Sequence, residues 1–381
     1  VNLTVRSRRA RREVRIGVVG VGLIGLAHAD RVARTPRARL TALCARGPAT
    51  ADLASARGCA YFTDHRDLLR SGTCDAVLIA TPHYAHVSIG LDALRAGRHV
   101  LLEKPVAVDL AGAQSLAAAH ARRRRQVCAV MFQMRTDPRF LRLRRLLQRG
   151  RLGTLQRMTW IITDWFRSSS YYASAKWRGT WEGEGGGVLV NQCPHQLDLL
   201  GWLFGPPDRV RAVCGFGRRH DIEVEDEATA VLEYPGGLTG TFITSTGEAP
   251  GTNRLEIAGT RGRVVLEGAT LTVTTNTTPS DEYCRRGADL FGRPKTRETV
   301  VPVASTPPLH ETVIRNFVAA VLDGVEPVAP LEDGVRQVEL ANAMLLSSLR
   351  DRPVDLPLDA AAFGRRLRGL VRAARTRKVR P

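Results

Sequence analysis

The sequence predicts an α/β protein in two parts: a doubly wound parallel sheet over residues 14–135, then a domain over residues 136–358 rich in antiparallel strands. Three observations carry this. Short apolar runs alternate with helical patterns up to about residue 134, and a glycine-rich turn follows the first of them. Beyond residue 210 the pattern changes to alternating strand segments punctuated by Pro-Gly-Gly and Gly-Thr-Arg-Gly. With 381 residues, 44% of them hydrophobic, the chain can bury two full cores, and disorder is not expected.

Residues 14–19 read as the first strand, running straight into Gly20-Val-Gly-Leu-Ile-Gly25 and then a helix over residues 26–35. Further strands are expected at residues 40–44, 76–80, 100–102 and 127–131, giving a β-α-β series covered on both faces. In the helix over residues 84–96, Val87, Leu91 and Leu94 fall on one face, and Gly97 sits where a left-handed helix stop belongs. After Pro138 come a basic helix to about residue 149, a strand at 155–163, and a stretch rich in Trp, Tyr and Gly up to Gly187. Strands at 228–234, 238–244, 254–258, 262–267 and 269–274 then form a meander, and helices at 309–323 and 332–349 close the domain. Residues 1–13 and 359–381 read as basic arms outside the folded body, the second as a loose helix.

Those arms hold much of the formal charge of +19, and no reading element or aromatic platform for nucleic acid accompanies it, so nucleic acid is not expected as a partner. No run approaches the ~18 to 20 apolar residues that cross a bilayer, and no apolar leader is seen; the expectation is a cytoplasmic protein with no membrane partner. Seven scattered cysteines without C-x-x-C spacing point to reduced thiols. His83 and His86 have no third ligand near them in sequence, and no metal is expected.

In the motif at Gly20, Gly22 and Gly25 the first glycine makes the tight turn, the second lets backbone approach a pyrophosphate, and the third allows helix and strand to pack closely. Its place between strand and helix at the start of the series points to a nicotinamide dinucleotide. The carboxylate that would bind an NAD ribose about 20 residues on is missing. That place reads Leu43-Cys-Ala-Arg46-Gly-Pro, and Arg46 suits adenine stacking or a 2′-phosphate, which favours NADP with NAD open. Lys104 follows the buried-type run 100–102, at the strand end where ligands of such sheets sit. Residues 185–187 are glycines feeding a helix; they are read as bringing backbone to a ligand, with Asn191 and His195 as an i, i+4 pair on one face of that helix.

Taken together, Gly20-x-Gly-x-x-Gly25, Thr81-Pro82 with His86, Ala-Gly-x-His-Val-Leu-x-Glu103-Lys104-Pro105, and a glycine run before His195-x-x-Asp198 resemble the glucose-fructose oxidoreductase, inositol dehydrogenase and rhizopine catabolism (Gfo/Idh/MocA) family. The resemblance spans about residues 14–358. It implies an N-terminal Rossmann domain with a C-terminal α/β domain built on a large, mainly antiparallel open sheet, through which a homodimer or homotetramer would form. It implies hydride transfer between NAD or NADP and a sugar or cyclitol, with Lys104 as the catalytic lysine and His195 as acid/base. By the same likeness Leu23, Ile24, Ala80, Thr81, Pro82, His86, Glu103, Lys104, Gln133, Trp177 and Arg178 join the glycines at the cofactor. The sequence departs from the family at Asn191, where many relatives carry Asp; an amide adds no negative charge beside His195 but still orients substrate.

The expected reaction oxidises a secondary alcohol, with the hydroxyl proton passing to His195 and Lys104 stabilising the alkoxide. Asp164, Tyr171 and Tyr172, with Lys104, Asn191 and His195, form the expected substrate surface. Two other functions stay open on the sequence: a glycosidase or lyase using transient ring oxidation, and a non-catalytic nucleotide sensor.

Overall fold

The computed structural model describes residues 13–287 and 289–379. Two compact units result. The first runs to Glu103 and adds Ser115–Met131 and Pro308–Leu331; the second comprises Lys104–Gln114, Phe132–Pro307 and the chain from Glu332 onward. The N-terminal basic arm lies outside the described residues except for Glu13, which accepts from Arg39.

Six parallel strands build the first unit: β1 Val14–Val19, β2 Ala38–Cys44, β3 Ala60–Phe62, β4 Ala76–Ile79, β5 His99–Leu102 and β6 Cys128–Val130. β3 escaped the sequence reading because three half-buried residues carry no alternation. The order is β3-β2-β1-β4-β5-β6, so the direction of winding reverses between β1 and β4. In such sheets the crevice beyond the carboxyl ends of those two strands takes the ligand. Val14, Ile16, Val18, Leu43 and Leu78 pack with Ile314 and Phe317 of the helix Leu309–Asp323, which therefore belongs to this unit although it follows the second sheet in sequence. Gly97 adopts φ +75°, as the helix stop at the end of Tyr84–Arg95 requires.

A nine-stranded sheet forms the second unit, with strands β7 Leu155–Ile162, β8 Arg209–Phe216, β9 Glu225–Glu233, β10 Thr239–Ser245, β11 Asn253–Gly259, β12 Gly262–Glu267, β13 Thr270–Asn276, β14 Thr296–Val301 and β15 Val354–Asp355. It is antiparallel except where β7 and β10 pair in parallel. One face is core, centred on Trp160 with Phe242 and Phe140 against it. The other face is open and carries exposed Val213, Val231 and Val300.

The C-terminal segment is a helix, but not the loose one outside the folded body that was expected. Residues 360–379 lie in the helix Ala360–Val379, and Ala362, Phe363 and Leu367 are buried in the second core. An apolar stripe at 362, 363 and 367 outweighs the surrounding arginines, which remain on the solvent side. Among the described residues no helix is long and apolar enough to cross a membrane.

Candidate active site

The glycine turn of the first unit is shaped by close backbone approach. Gly20 has φ +92°, and a Cβ there would lie 2.6 Å from the Ala80 carbonyl carbon, so the end of β4 rests against the turn. A Cβ on Gly25 would fall 1.8 Å from the Gly20 carbonyl oxygen. Gly22 is different: a Cβ there meets nothing within 4 Å. The helix Leu23–Arg34 begins at that opening with no side-chain cap, so its first N–H groups are available to an anion. Leu23, 94% exposed, and Ile24 lie outside the core at the same place. These features fit the pyrophosphate of a dinucleotide.

Several expected cofactor residues gather around this turn. The Gly20 N–H donates to the Cys44 carbonyl at 2.9 Å, bringing the end of β2 and the exposed loop with Arg46 beside it; Tyr61 pins that loop by donating to Gly47 O at 3.0 Å. Thr81 follows β4, and its buried hydroxyl has no hydrogen-bond partner among the described residues. His86 is fully buried and bonds the Thr81 carbonyl at 2.8 Å through Nε2, fixing the Thr81-Pro82 corner. Glu103, at the end of β5, bonds Nε2 of the buried His28 at 2.6 Å, which fastens the dinucleotide helix to the sheet.

In the second unit the chemistry gathers around residue 191. Two of the glycines before it are required by packing. A Cβ on Gly187 would lie 1.9 Å from the Glu225 carbonyl oxygen of β9, and one on Gly186 would lie 2.4 Å from Val190. The expected continuous helix is also interrupted: Val188–Gln192 is a π turn, closed by Cys193 N–H to Val188 O at 2.8 Å, and the α-helix Pro194–Phe204 starts only afterwards. Asn191 and His195 are thus in different helical segments, not an i, i+4 pair on one face.

This turn exposes a carbonyl that a regular helix would use. The half-buried Lys104 donates to Asn191 O at 2.7 Å, placing the ammonium against the turn that leads to His195. Nε2 of His195, which is 7% exposed, lies 3.1 Å from Gln133 Nε2, and Phe132 packs edge-on against the ring. Gln133, expected at the cofactor, is therefore brought to His195. Asp198 makes a two-point ion pair with Arg135 at 2.6 and 2.8 Å, and Arg135 also reaches Asp333 at 2.7 Å. Burial opposes the Arg135 charge, but Asp198 and Asp333 outweigh it and hold the guanidinium above its usual pKa.

The aromatic segment divides. Tyr171 accepts from Arg178 Nη1 at 2.6 Å, and Arg178 stacks over both Tyr171 and Trp177. Tyr172 turns to Thr246 at 3.0 Å and to the His220 ring, where burial pushes its hydroxyl up to about 12. Tyr172, Arg178, Gly179, His220 and Glu223 line a cavity of about 590 Å³. Asp164 is at the surface, accepting from Asn253.

One residue was missed. Glu184, 1% exposed, accepts from Gly179 N–H at 2.6 Å and from the Asn191 side-chain amide. Burial pushes its carboxyl up to about 7, against those hydrogen bonds and the charges of Arg178 and Lys104. The available signal was a carboxylate directly before three glycines.

A glycine turn at the winding reversal of a 3-2-1-4-5-6 sheet is the mark of a dinucleotide-binding protein. Residues 14–132 match the oxidoreductase family with NAD-binding Rossmann fold, and residues 140–265 match the GFO/IDH/MocA C-terminal domain. The chain is 30% identical over 264 residues to trans-1,2-dihydrobenzene-1,2-diol dehydrogenase of Bos taurus, covering 66% of this chain and 74% of that one. It is 26% identical over 352 residues to inositol 2-dehydrogenase of Rhizobium meliloti, covering 90% and 99%. Among solved structures, the WlbA dehydrogenase of Bordetella pertussis in complex with NADH and UDP-GlcNAcA superposes with TM-score 0.77 at 27% identity, covering 91% of this chain and all of that one. Levoglucosan dehydrogenase in complex with NADH shares the fold, with TM-score 0.75 at 21% identity over 91% of this chain and all of that one. The chain belongs to the Gfo/Idh/MocA family of NAD-binding oxidoreductases.

Proposed function

We propose that the protein is a dehydrogenase or ketoreductase acting on a secondary alcohol or ketone of a sugar, cyclitol or glycosylated metabolite. The observation that carries this reading is the Lys104 ammonium seated on the Asn191 carbonyl of the turn that leads to His195. Gly20, Gly22 and Gly25, with the first turn of the helix Leu23–Arg34, would hold the dinucleotide, which when bound supplies the hydride acceptor or donor. In the oxidative direction a CH–OH carbon loses hydride and its hydroxyl proton passes to His195, whose ordinary pKa of ~6.5 suits the transfer. Lys104 stabilises the oxygen as it loses its proton, and polarises the carbonyl in reverse. Gln133 fixes the ring of His195. Arg178, Tyr171 and Tyr172 would bind the substrate beside the 590 Å³ cavity.

NADP is the proposed preference over NAD, supported by the exposed Arg46 beside the glycine turn and by the absence of a carboxylate at that strand end. The exposed valines of the second sheet support a homodimer or homotetramer, checked by light scattering in solution. The test of activity is to follow NADH or NADPH formation with UDP-GlcNAcA and inositol, which the names of relatives supply. Net reduction of cofactor is expected with one of them. Substrate consumption with no net cofactor change would replace this reading by transient oxidation and elimination.

A further inference from the structure

We propose that Glu184 is a positioning residue that turns the Asn191 amide so that its oxygen, not its nitrogen, faces substrate; this rests on the reading that Asn191 lines the substrate site. Hydrogen-bond polarity decides the orientation. An amide has one accepting and one donating end, and an ionised carboxylate only accepts. Glu184 Oε1 takes the Asn191 Nδ2 donor, which also lies 3.4 Å from the Tyr171 hydroxyl. The accepting Oδ1 is thereby left for a substrate hydroxyl or N–H.

The other carboxylate oxygen makes the arrangement switchable in one direction only. Glu184 Oε2 accepts the Gly179 backbone N–H at 2.6 Å. That donor is fixed, so any proton that Glu184 gains sits on Oε1, opposite Asn191. Oε1 then donates, and the amide must turn over and present Nδ2 to substrate. The Tyr171 hydroxyl can follow: it already accepts from Arg178 at 2.6 Å, and its own hydrogen can be given to the turned Oδ1.

The charged and titratable groups around Glu184 include Arg178 and Lys104, which favour its anion, and Glu225 and Tyr172, which oppose it. Glu225, held by the Leu189 N–H, is also pushed up to about 7 by burial. A raised carboxyl is protonated below its pKa and ionised above, so Asn191 accepts above about pH 7 and donates below it.

The direct test is an NMR titration of the Asn191 side-chain amide in selectively ¹⁵N-asparagine-labelled full-length protein, assigned with N191A. Its signals should make a large step near pH 7 in the wild type, as the amide turns over, and shift only slightly in E184Q, where Glu225 still titrates nearby. In E184Q the Gly179 N–H claims the oxygen of the new amide, so its nitrogen faces Asn191 and mimics protonated Glu184 at every pH. A large step that persists in E184Q, or its absence from the wild type, overturns the proposal. Should E184Q not fold, the wild-type titration carries the test, and Asn191 amide signals that do not step near pH 7 overturn the proposal.

Kinetics with whichever of UDP-GlcNAcA and inositol is turned over adds the functional readout. The ratio of wild-type to E184Q kcat/KM should rise from near unity at low pH to about 10- to 100-fold at high pH, the range a reversed hydrogen bond gives. The double variant E184Q/N191D should recover most of the loss, because its carboxylate at position 191 accepts from the amide at position 184 and still presents an oxygen to substrate; no recovery would mark Glu184 as merely structural. N191A with wild-type kcat/KM would instead defeat the reading of the site while leaving the NMR step intact.

Discussion

Lys104 and His195 occupy the second unit by different devices, and their variants should separate accordingly. Lys104 donates to a backbone carbonyl, and Lys104→Ala removes its charge from that turn. It should lower kcat by about 10²- to 10³-fold, the loss typical of one electrostatic donor at a developing oxyanion. His195→Asn should cost about 10²- to 10⁴-fold in kcat with little change in Tm. Asp198→Asn should do the reverse in stability. It leaves Arg135, 3% exposed, with Asp333 as its remaining carboxylate partner in these pairs, and weakening the buried network should cost about 1.5–3 kcal/mol in thermal or denaturant unfolding. His195 and Asp198 were read as one motif, yet the structure gives the aspartate to Arg135. Sequence spacing cannot show which partner a buried carboxylate takes when that partner is 63 residues away.

Glycines that look alike in sequence divide into those that pack and those that leave room. Gly187→Ala drives a Cβ into the Glu225 carbonyl and should destabilise the protein by about 1–3 kcal/mol, seen as a lower Tm. A Cβ on Gly22 meets nothing within 4 Å among the described residues, so in Gly22→Ala the Tm should hold while NADH affinity falls at least about tenfold, because the methyl would stand in the proposed path of the pyrophosphate. An unchanged affinity in that variant would move the dinucleotide elsewhere. The element pattern was largely legible: β1, the glycine turn and the helix Leu309–Asp323 follow from apolar runs and periodicity. The π turn was not. Its cause is tertiary, the close approach of Gly187 to β9, and no local propensity announces an i to i+5 hydrogen bond.

For the whole molecule, the parallel sheet, the mainly antiparallel sheet and the family followed from the order of motifs along the chain. The return of Pro308–Leu331 to the first unit and the burial of Phe363 did not, since both depend on contacts formed by distant chain segments. Charge misled at the C-terminus for the same reason: a helix with arginines on its solvent side reads as a basic arm until its apolar stripe has something to cover. The proposed cofactor preference belongs to the assembled first unit, where the bond from Gly20 N–H to the Cys44 carbonyl ties the end of β2, two residues before the exposed Arg46, to the glycine turn. NADPH should bind more tightly than NADH in a fluorescence titration, and Arg46→Ala should remove most of that difference.

If Lys104 acts in the chemical step and not in holding the cofactor, the two roles come apart in Lys104→Ala. Wild type and variant are compared in two readouts on the same preparations: turnover of UDP-GlcNAcA or inositol, and cofactor affinity by nicotinamide fluorescence. Turnover should be lower by about 10²-fold or more, with affinity changed by less than about threefold. Intact turnover in Lys104→Ala, or a loss of affinity as large as the loss of turnover, would contradict a chemical role for the lysine.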